Sequence, residues 1–312
     1  MTLSYSGLEK IPISIKKKSI HRLQNTCQPC RQLFDMCTEK TPRILSIQSH
    51  VVSGYVGNKS ATFPLQLLGF EVDPINSVQL SNHTGYKVFK GQILNDNDLE
   101  HLIDGLTQND LDQYTHLLTG YVGSDTFLKK IAEVVHALKR KNPDLIYVCD
   151  PVMGDNGKMY VPEALKEIYR KEIVPLADIL TPNQFELDTI SELRKTVQEL
   201  HKLGPNTVAV SSTEIDDKLT AIVNNAFVKI DIPRIPTNFT GSGDLFAALF
   251  LAHTYLQDNI NTAIEKTVNS LHGVLYKTFE HAQPARRIEL RLIQSKSCIE
   301  NPEIRLRAVP LL

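Results

Sequence analysis

From Pro42 onward, apolar residues recur with two alternating periods. Ile44-Leu45-Ser46-Ile47 opens a strand, and Ala61, Phe63, Leu65, Leu67 and Leu68 predict a short helix over residues 59–68. Phe70 to Val78 reads as the next strand, Asp98 to Leu106 as a helix and His116-Leu117-Leu118-Thr119 as a short strand. Residues 126–140 place Phe127, Leu128, Ile131, Val134, Val135 and Leu138 on one helical face, the clearest amphipathic pattern in the chain. Leu145-Ile146-Tyr147-Val148-Cys149 is continuously apolar, as a strand buried on both faces of a parallel sheet is, and Asp150-Pro151 ends it. Further strands are expected at Ala177 to Leu180, Thr207 to Ser211 and Thr220 to Val223, with helices between. Leu245 to Ala252 is an unbroken apolar run long enough for a buried helix, and a long helix over 261–279 carries Ile264, Val268, Leu271 and Leu275 at core spacing.

Alternating strands and helices imply right-handed crossovers and a mostly parallel central sheet covered on both faces, a three-layer α/β/α sandwich. No linker rich in Pro or Gly and no internal repeat divides the stretch, so residues 42–312 are expected to form one domain. Residues 1–41 differ: Lys16-Lys17-Lys18 and few acidic groups, without apolar periodicity, indicate a flexible leader. Its basic bias also suits a mitochondrial transit segment, against which stand the scarcity of arginine and the lack of a clear amphipathic helix. Cys27-x-x-Cys30, with His21 before and Cys37 after, is half a zinc pattern; without a second close pair these are read as free cysteines.

Composition narrows the partners. Of 312 residues, 42% are hydrophobic and 22% charged, and 34 basic against 35 acidic residues leave a net charge of -1. Nothing in that balance favours nucleic acid or an anionic membrane, so a small molecule is the expected partner. No apolar run has the length of a bilayer span, no secretory signal opens the chain, and five cysteines are too few for a disulfide scaffold. A cytoplasmic protein is expected.

In open α/β sheets, ligands bind beyond the carboxyl ends of the strands. Ser49 follows Ile44 to Gln48, Asp150 follows Leu145 to Cys149, Thr181-Pro182-Asn183 follows Ala177 to Leu180, and Ser211-Ser212 follows Thr207 to Val210. Asp150 and Asp155 are oxygen ligands of the kind Mg²⁺ takes together with waters and phosphates, and Asn183 and Glu186 suit a water-mediated outer layer. Singly, each carboxylate is more economically a cap or turn residue; together, their common location beyond strand ends asks for another explanation. No G-x-x-x-x-G-K-[ST] or G-x-G-x-x-G sequence occurs, Gly54-Tyr55-Val56-Gly57 alone is only a turn before a helix, and no Ser-His-Asp set can be assigned.

Asn238-Phe239-Thr240-Gly241-Ser242-Gly243-Asp244 precedes the buried apolar run. Its glycines let backbone N–H groups at a helix start approach an anion, while Asp244 would repel that anion unless it had a task, such as taking a proton from an attacking hydroxyl. A capped buried helix is the simpler alternative.

Six blocks in order now carry a resemblance: Ser46-Ile47-Gln48-Ser49-His50-Val51, Gly54-Tyr55-Val56-Gly57-Asn58, Ser81-Asn82-His83-Thr84-Gly85-Tyr86, Tyr147-Val148-Cys149-Asp150-Pro151-Val152, Thr181-Pro182-Asn183-Gln184-Phe185-Glu186 and Gly241-Ser242-Gly243-Asp244. From about Arg43 to the C-terminus the chain resembles the pyridoxal kinase family of the ribokinase-like superfamily. The resemblance implies a ribokinase-like fold and ATP-dependent phosphorylation of the 5′-hydroxymethyl group of pyridoxal, pyridoxine and pyridoxamine. It implies Asp244 as general base, with the Gly241, Ser242 and Gly243 turn stabilising the transferring phosphoryl group. Ser49, Val78, Thr84 and Tyr121 match the substrate end; Asp150, Asn183, Glu186, Ser211, Ser212, Ser242 and Leu275 match the ATP end; Asp150, Asp155, Thr181 and Glu186 match the metal side. Mg²⁺ or another divalent ion, a monovalent cation such as K⁺, and a cytosolic homodimer are implied as well.

The chain departs from its animal relatives in having Ser242 where many have threonine, and in short segments at 154–160 and 213–235 near the nucleotide. A kinase for hydroxymethylpyrimidine shares the superfamily fold and base, and Ser-Asn-His-Thr-Gly-Tyr favours pyridoxal instead. A catalytically silent vitamin- or nucleotide-binding relative is disfavoured by the retention of Asp244, both glycines and the Asp150/Asp155 pair.

Overall fold

A computed structural model describes residues 41–311 except 156, 192–200, 224–226 and 284–286. The leader and its Cys27, Cys30 and Cys37 lie outside the described residues. In chain order the elements that build the site are β1 (Arg43–Val51), α1 (Asn58–Leu67), β2 (Glu71–Leu80), β3 (Gly91–Ile93), α2 (Asp96–Gln108), β4 (His116–Thr119), α3 (Asp125–Lys141) and β5 (Ile146–Cys149). The small hairpin β6 (Gly154–Asp155) and β7 (Lys158–Met159) follows, then α4 (Ala164–Ile168), β8 (Ile179–Leu180), α5 (Gln184–Ser191), β9 (Thr207–Ile215), β10 (Lys218–Val223) and β11 (Val228–Ile232). The C-terminal part holds α6 (Ser242–Leu256), α7 (Ile260–Glu280), α8 (Lys296–Glu300) and β12 (Val309–Pro310).

One sheet runs in the order β12-β11-β10-β9-β8-β5-β4-β1-β2-β3. Its centre, from β9 through β8, β5, β4 and β1 to β2, is parallel, while β10, β11, β12 and β3 extend the two edges antiparallel. Neighbouring residues of each central strand point to opposite faces. Leu45, Leu117, Tyr147 and Val208 join Phe127, Ile131, Val135 and Leu138 of α3 in one core. Ile44, Leu118, Val148 and Ala209 join Ala61 and Leu65 of α1, the whole of Leu245 to Ala252 in α6, and Ile264 and Val268 of α7 in the other. Because α6 is buried on every side between its neighbours, its sequence is apolar without a polar stripe.

The expected central strands and long helices are present, with ends shifted by one or two residues in most cases. Four differences have physical causes. The strand expected from Phe70 begins at Glu71, since Phe70 closes the α1 turn through its N–H to Leu65 O at 3.1 Å. The strand expected from Leu145 begins at Ile146, which as the first residue of β5 is 36% exposed and not buried on both faces. No helix separates residues 211 and 220; Asp216 and Asp217, with φ of 50° and 59°, make a two-residue hairpin turn between β9 and β10. The very short strands β3, β6, β7 and β12 carry too few apolar positions for a period to be recognised, whereas β11, in which Val228, Ile230 and Ile232 do alternate with polar residues, is a strand beyond those expected. Among the described residues, no helix is long and apolar enough to cross a membrane.

Candidate active site

The carboxyl ends of the parallel strands open into a cleft of about 380 Å³. Ser49, Val78, Thr84, Tyr121, Asp150, Asp155, Thr181, Asn183, Glu186, Ser211, Ser212, Gly241, Ser242, Gly243 and Asp244 all line it. Leu275 does not: it lies on α7, partly buried against the core on the α6 side of the sheet.

The Gly241 turn is shaped by its backbone. Gly241 is left-handed, with φ of 84°, and a β-carbon there would lie 2.0 Å from the carbonyl oxygen of Tyr55, so only glycine fits. It is the N-terminal cap of α6, yet no side chain caps the helix. The cap position thus supplies no side-chain acceptor, and the Asp244 carboxylate takes its own N–H in the first turn. Ser60 of α1 donates its hydroxyl to Gly241 O at 3.1 Å and pins the turn to the neighbouring helix.

Asp244, half-buried in the first turn of α6, accepts the N–H groups of Gly57 and of its own residue. Burial raises its pKa against the pull of those two donors. Gly57, with φ of 52°, is itself unsubstitutable because a β-carbon would meet Ser49 O at 2.0 Å. The Gly54 to Gly57 segment, which by sequence alone was no more than a turn, thus holds the candidate base.

Asp150 and Glu186 line the same cleft. Asp150 is 3% exposed and its Oδ2 has no hydrogen-bond partner. Burial, then repulsion from Glu186 and Asp244, pushes its pKa well above the usual carboxylate range. Glu186 is pushed up to about 7 by burial, opposed by N–H donors from Asn183, Met153 and Gly154. Asn183 N–H donates to Glu186 Oε2 at 2.9 Å and Glu186 N–H returns to Asn183 Oδ1 at 2.9 Å, a reciprocal cap on α5, while Met153 N–H holds Oε1 at 3.0 Å. Asn183 also reaches Gly154 O at 2.9 Å, which fastens the β6–β7 hairpin over the cleft. Beside it, Ser211 N–H donates to Pro182 O at 2.9 Å, holding β9 against the Thr181 strand end.

Among the described residues, no three His, Cys, Asp or Glu side chains form a metal cage. The orphaned Asp150 oxygen and the mutual repulsion of the carboxylates fit a divalent cation.

Lys158 also lines the cleft and escaped sequence-based recognition, since a lone lysine in a turn looks like an ordinary surface charge. The same lining includes Asp150, Asp155, Glu186 and Asp244.

Residues 111–287 match the family model described as "Phosphomethylpyrimidine kinase". Pyridoxal kinase of Arabidopsis thaliana is 50% identical over 86% of this chain and 94% of its own. Pyridoxal kinase of Bos taurus is 45% identical over 88% of this chain and 100% of its own. The fold matches that of pyridoxal kinase from Leishmania donovani in complex with ADP and pyridoxamine, with a TM-score of 0.78 and 33% identity over 86% of this chain and 99% of the other.

Proposed function

The chain belongs to the pyridoxal kinase family, and from that premise we propose how its cleft transfers a phosphoryl group from ATP to the 5′-hydroxymethyl group of pyridoxal, pyridoxine or pyridoxamine. The domain responsible is residues 42–312. Asp244 takes the proton of the 5′-hydroxyl as its oxygen attacks the γ-phosphorus; the new O–P bond forms as the bond to the β-phosphate bridging oxygen breaks and ADP leaves. The raised pKa of Asp244 moves it toward the range where a carboxylate is an effective base. N–H groups at the start of α6 stabilise the charge on the transferring group without rearranging.

Ser49, Val78, Thr84 and Tyr121 form the vitamin end. Asp150, Asn183, Glu186, Ser211, Ser212 and Ser242 form the nucleotide end, with Leu275 assigned to it by family resemblance alone. Asp150 and Asp155 would hold Mg²⁺ or another divalent ion, which when bound neutralises phosphate charge. Thr181 and Glu186 belong to the same end, where resemblance also assigns a monovalent cation such as K⁺. A cytoplasmic homodimer is the reading that the family resemblance supports, and the sparse cysteines agree with a reducing compartment.

The observation that carries this function is the carboxylate of Asp244 fixed by Gly57 N–H next to an uncapped helix start. The family model's description raises a pyrimidine substrate as the rival. Its match begins at residue 111, beyond Ser49, Val78 and Thr84, whereas the pyridoxal kinase relatives span most of the chain. Purified protein with Mg²⁺ and ATP is expected to convert pyridoxal to its 5′-phosphate and to leave hydroxymethylpyrimidine largely unreacted. No phosphate ester with any of the three vitamers at saturating substrate overturns the assignment.

A further inference from the structure

Glu289 is outside the cleft lining, yet three groups from two of the cleft's walls converge on its carboxylate. Tyr55 N–H donates to Oε2 at 3.3 Å, the Tyr86 hydroxyl donates to Oε1 at 2.9 Å, and His83 Nε2 lies 3.2 Å from the same Oε1. Gly85 N–H donates to His83 Nδ1 at 3.1 Å, which leaves Nε2 as the protonated nitrogen facing Glu289. The carboxylate packs so tightly on Gly54 that a β-carbon there would come 2.3 Å from Oε2. Burial alone would raise the pKa of Glu289, but contacts from His83, Tyr86 and Tyr55 N–H outweigh it and hold the group ionised. The Arg287 guanidinium stacks 5.2 Å from the Tyr86 ring centroid and closes the same corner.

These contacts have a particular geometry relative to the chemistry. Thr84, at the vitamin end, sits between Tyr86, whose hydroxyl bonds that carboxylate, and His83, whose Nε2 lies beside it at 3.2 Å without a hydrogen bond. Tyr55 lies in the segment whose Gly57 N–H holds the Asp244 carboxylate, and its carbonyl is the atom that packs against Gly241. Buried Leu290, next in sequence to Glu289, lies 3.5 Å from the β-carbon position of Gly241.

We propose that Glu289 is a positioning residue that straps the Ser81–Tyr86 loop to the Gly54–Gly57 loop, fixing Thr84 against the vitamin while Asp244 is held at its hydroxyl. The proposal rests on the assignment of Thr84 to the vitamin end. A carboxylate suits the site because the Tyr55 N–H and the Tyr86 hydroxyl approach different oxygens. A glutamine that kept its oxygen on Tyr55 N–H would turn its NH₂ toward Tyr86, reversing that bond, and toward the His83 N–H, donor against donor.

Steady-state kinetics on Glu289→Gln and Tyr86→Phe, with each substrate varied in turn, test it. Glu289→Gln is expected to raise KM for pyridoxal by about tenfold and to lower kcat, while KM for MgATP stays within about twofold. Tyr86→Phe, which deletes one oxygen and keeps the ring, is expected to raise KM for pyridoxal by about threefold with the same selectivity. Glu289→Asp, which retains both acceptor oxygens, is expected to recover part of the lost affinity. Unchanged KM for pyridoxal in both variants, or KM for both substrates rising in parallel with a lowered melting temperature, overturns the proposal. Wild-type turnover of pyridoxal in the same assay tests the assigned activity separately, so a failure of the strap and a failure of the function are told apart.

Discussion

Gly241 and the carbonyl oxygen of Tyr55 are packed so closely that a β-carbon on Gly241 would fall 2.0 Å from that oxygen, at a backbone φ of 84°. Gly243, two residues on, has nothing within 4 Å of the same construction. The protein's own backbone requires glycine at Gly241, whereas Gly243 borders open space in the cleft, where the proposed reaction brings a phosphate. Gly241→Ala is expected to cost about 2 kcal/mol or more of stability as well as turnover. Gly243→Ala is expected to keep its melting temperature within about 1 °C and lose turnover alone. Thermal melts beside initial rates separate the two, and equal destabilisation by both would show that the turn is not built this way.

Asp150 trades stability for function. Its buried Oδ2 has no partner, and Glu186 and Asp244 repel its charge. Asp150→Asn is expected to raise the melting temperature of the ligand-free protein by about 2 °C while raising KM for MgATP more than about tenfold. A lower melting temperature for the variant contradicts the repulsion described.

The pH dependence follows from Glu186. Its native pKa of about 7 lies above the ordinary carboxylate value, so between those limits the folded protein holds a proton that the unfolded chain has released. The contribution of Glu186 to the stability of the ligand-free protein is therefore expected to fall as pH rises from about 4.5 to about 7. His116 and His253, which burial holds at about 4, act in the opposite sense over much of the same window, and Asp110, Asp112 and Glu289, whose values are lowered, lose their contributions only at more acidic pH. Denaturant midpoints of wild type and Glu186→Gln at several pH values, without Mg²⁺, isolate the Glu186 share; a wild-type advantage that grows from about pH 4.5 to about 7 contradicts it.

Much of this was legible in the sequence because the physics is local. Ile44/Leu45 and Tyr147/Val148 point to opposite sides of a covered sheet, so their strands read as continuous apolar runs. The regular spacing of Phe127, Ile131, Val135 and Leu138 leaves no doubt about α3. Strand-end rules then bring Ser49, Asp150, Thr181 and Ser211 together before any coordinate is known. Contacts distant in sequence were not legible: Gly57 N–H on Asp244, Ser60 on Gly241, and Glu289 beneath the Tyr55 and Tyr86 loops join segments whose separation only the fold removes. The Asp216-Asp217 hairpin was missed because its turn residues, forced into positive φ, are aspartates in place of the more usual Asn-Gly.

Lys158 is the one Lys or Arg among the described residues that line the cleft. A nucleotide carrying several negative charges gains from that cation. Lys158→Met is expected to raise KM for MgATP about three- to tenfold, less at high salt, and to leave KM for pyridoxal unchanged. Kinetics at two ionic strengths check this; a salt-independent loss, or one confined to pyridoxal, argues for another role.

The central claim is that Asp244 removes the proton of the hydroxyl that attacks ATP. Asp244→Asn keeps the size of the side chain and the oxygen that accepts Gly57 N–H, and removes only the capacity to take a proton. The most direct measurement is kcat for pyridoxal phosphorylation by this variant, with calorimetric affinities for pyridoxal and MgATP taken on the same preparation. A fall in kcat of about 10²- to 10⁴-fold with both affinities within about threefold of wild type is the predicted result. A variant that retains kcat within about threefold of wild type, with the same affinities, contradicts it.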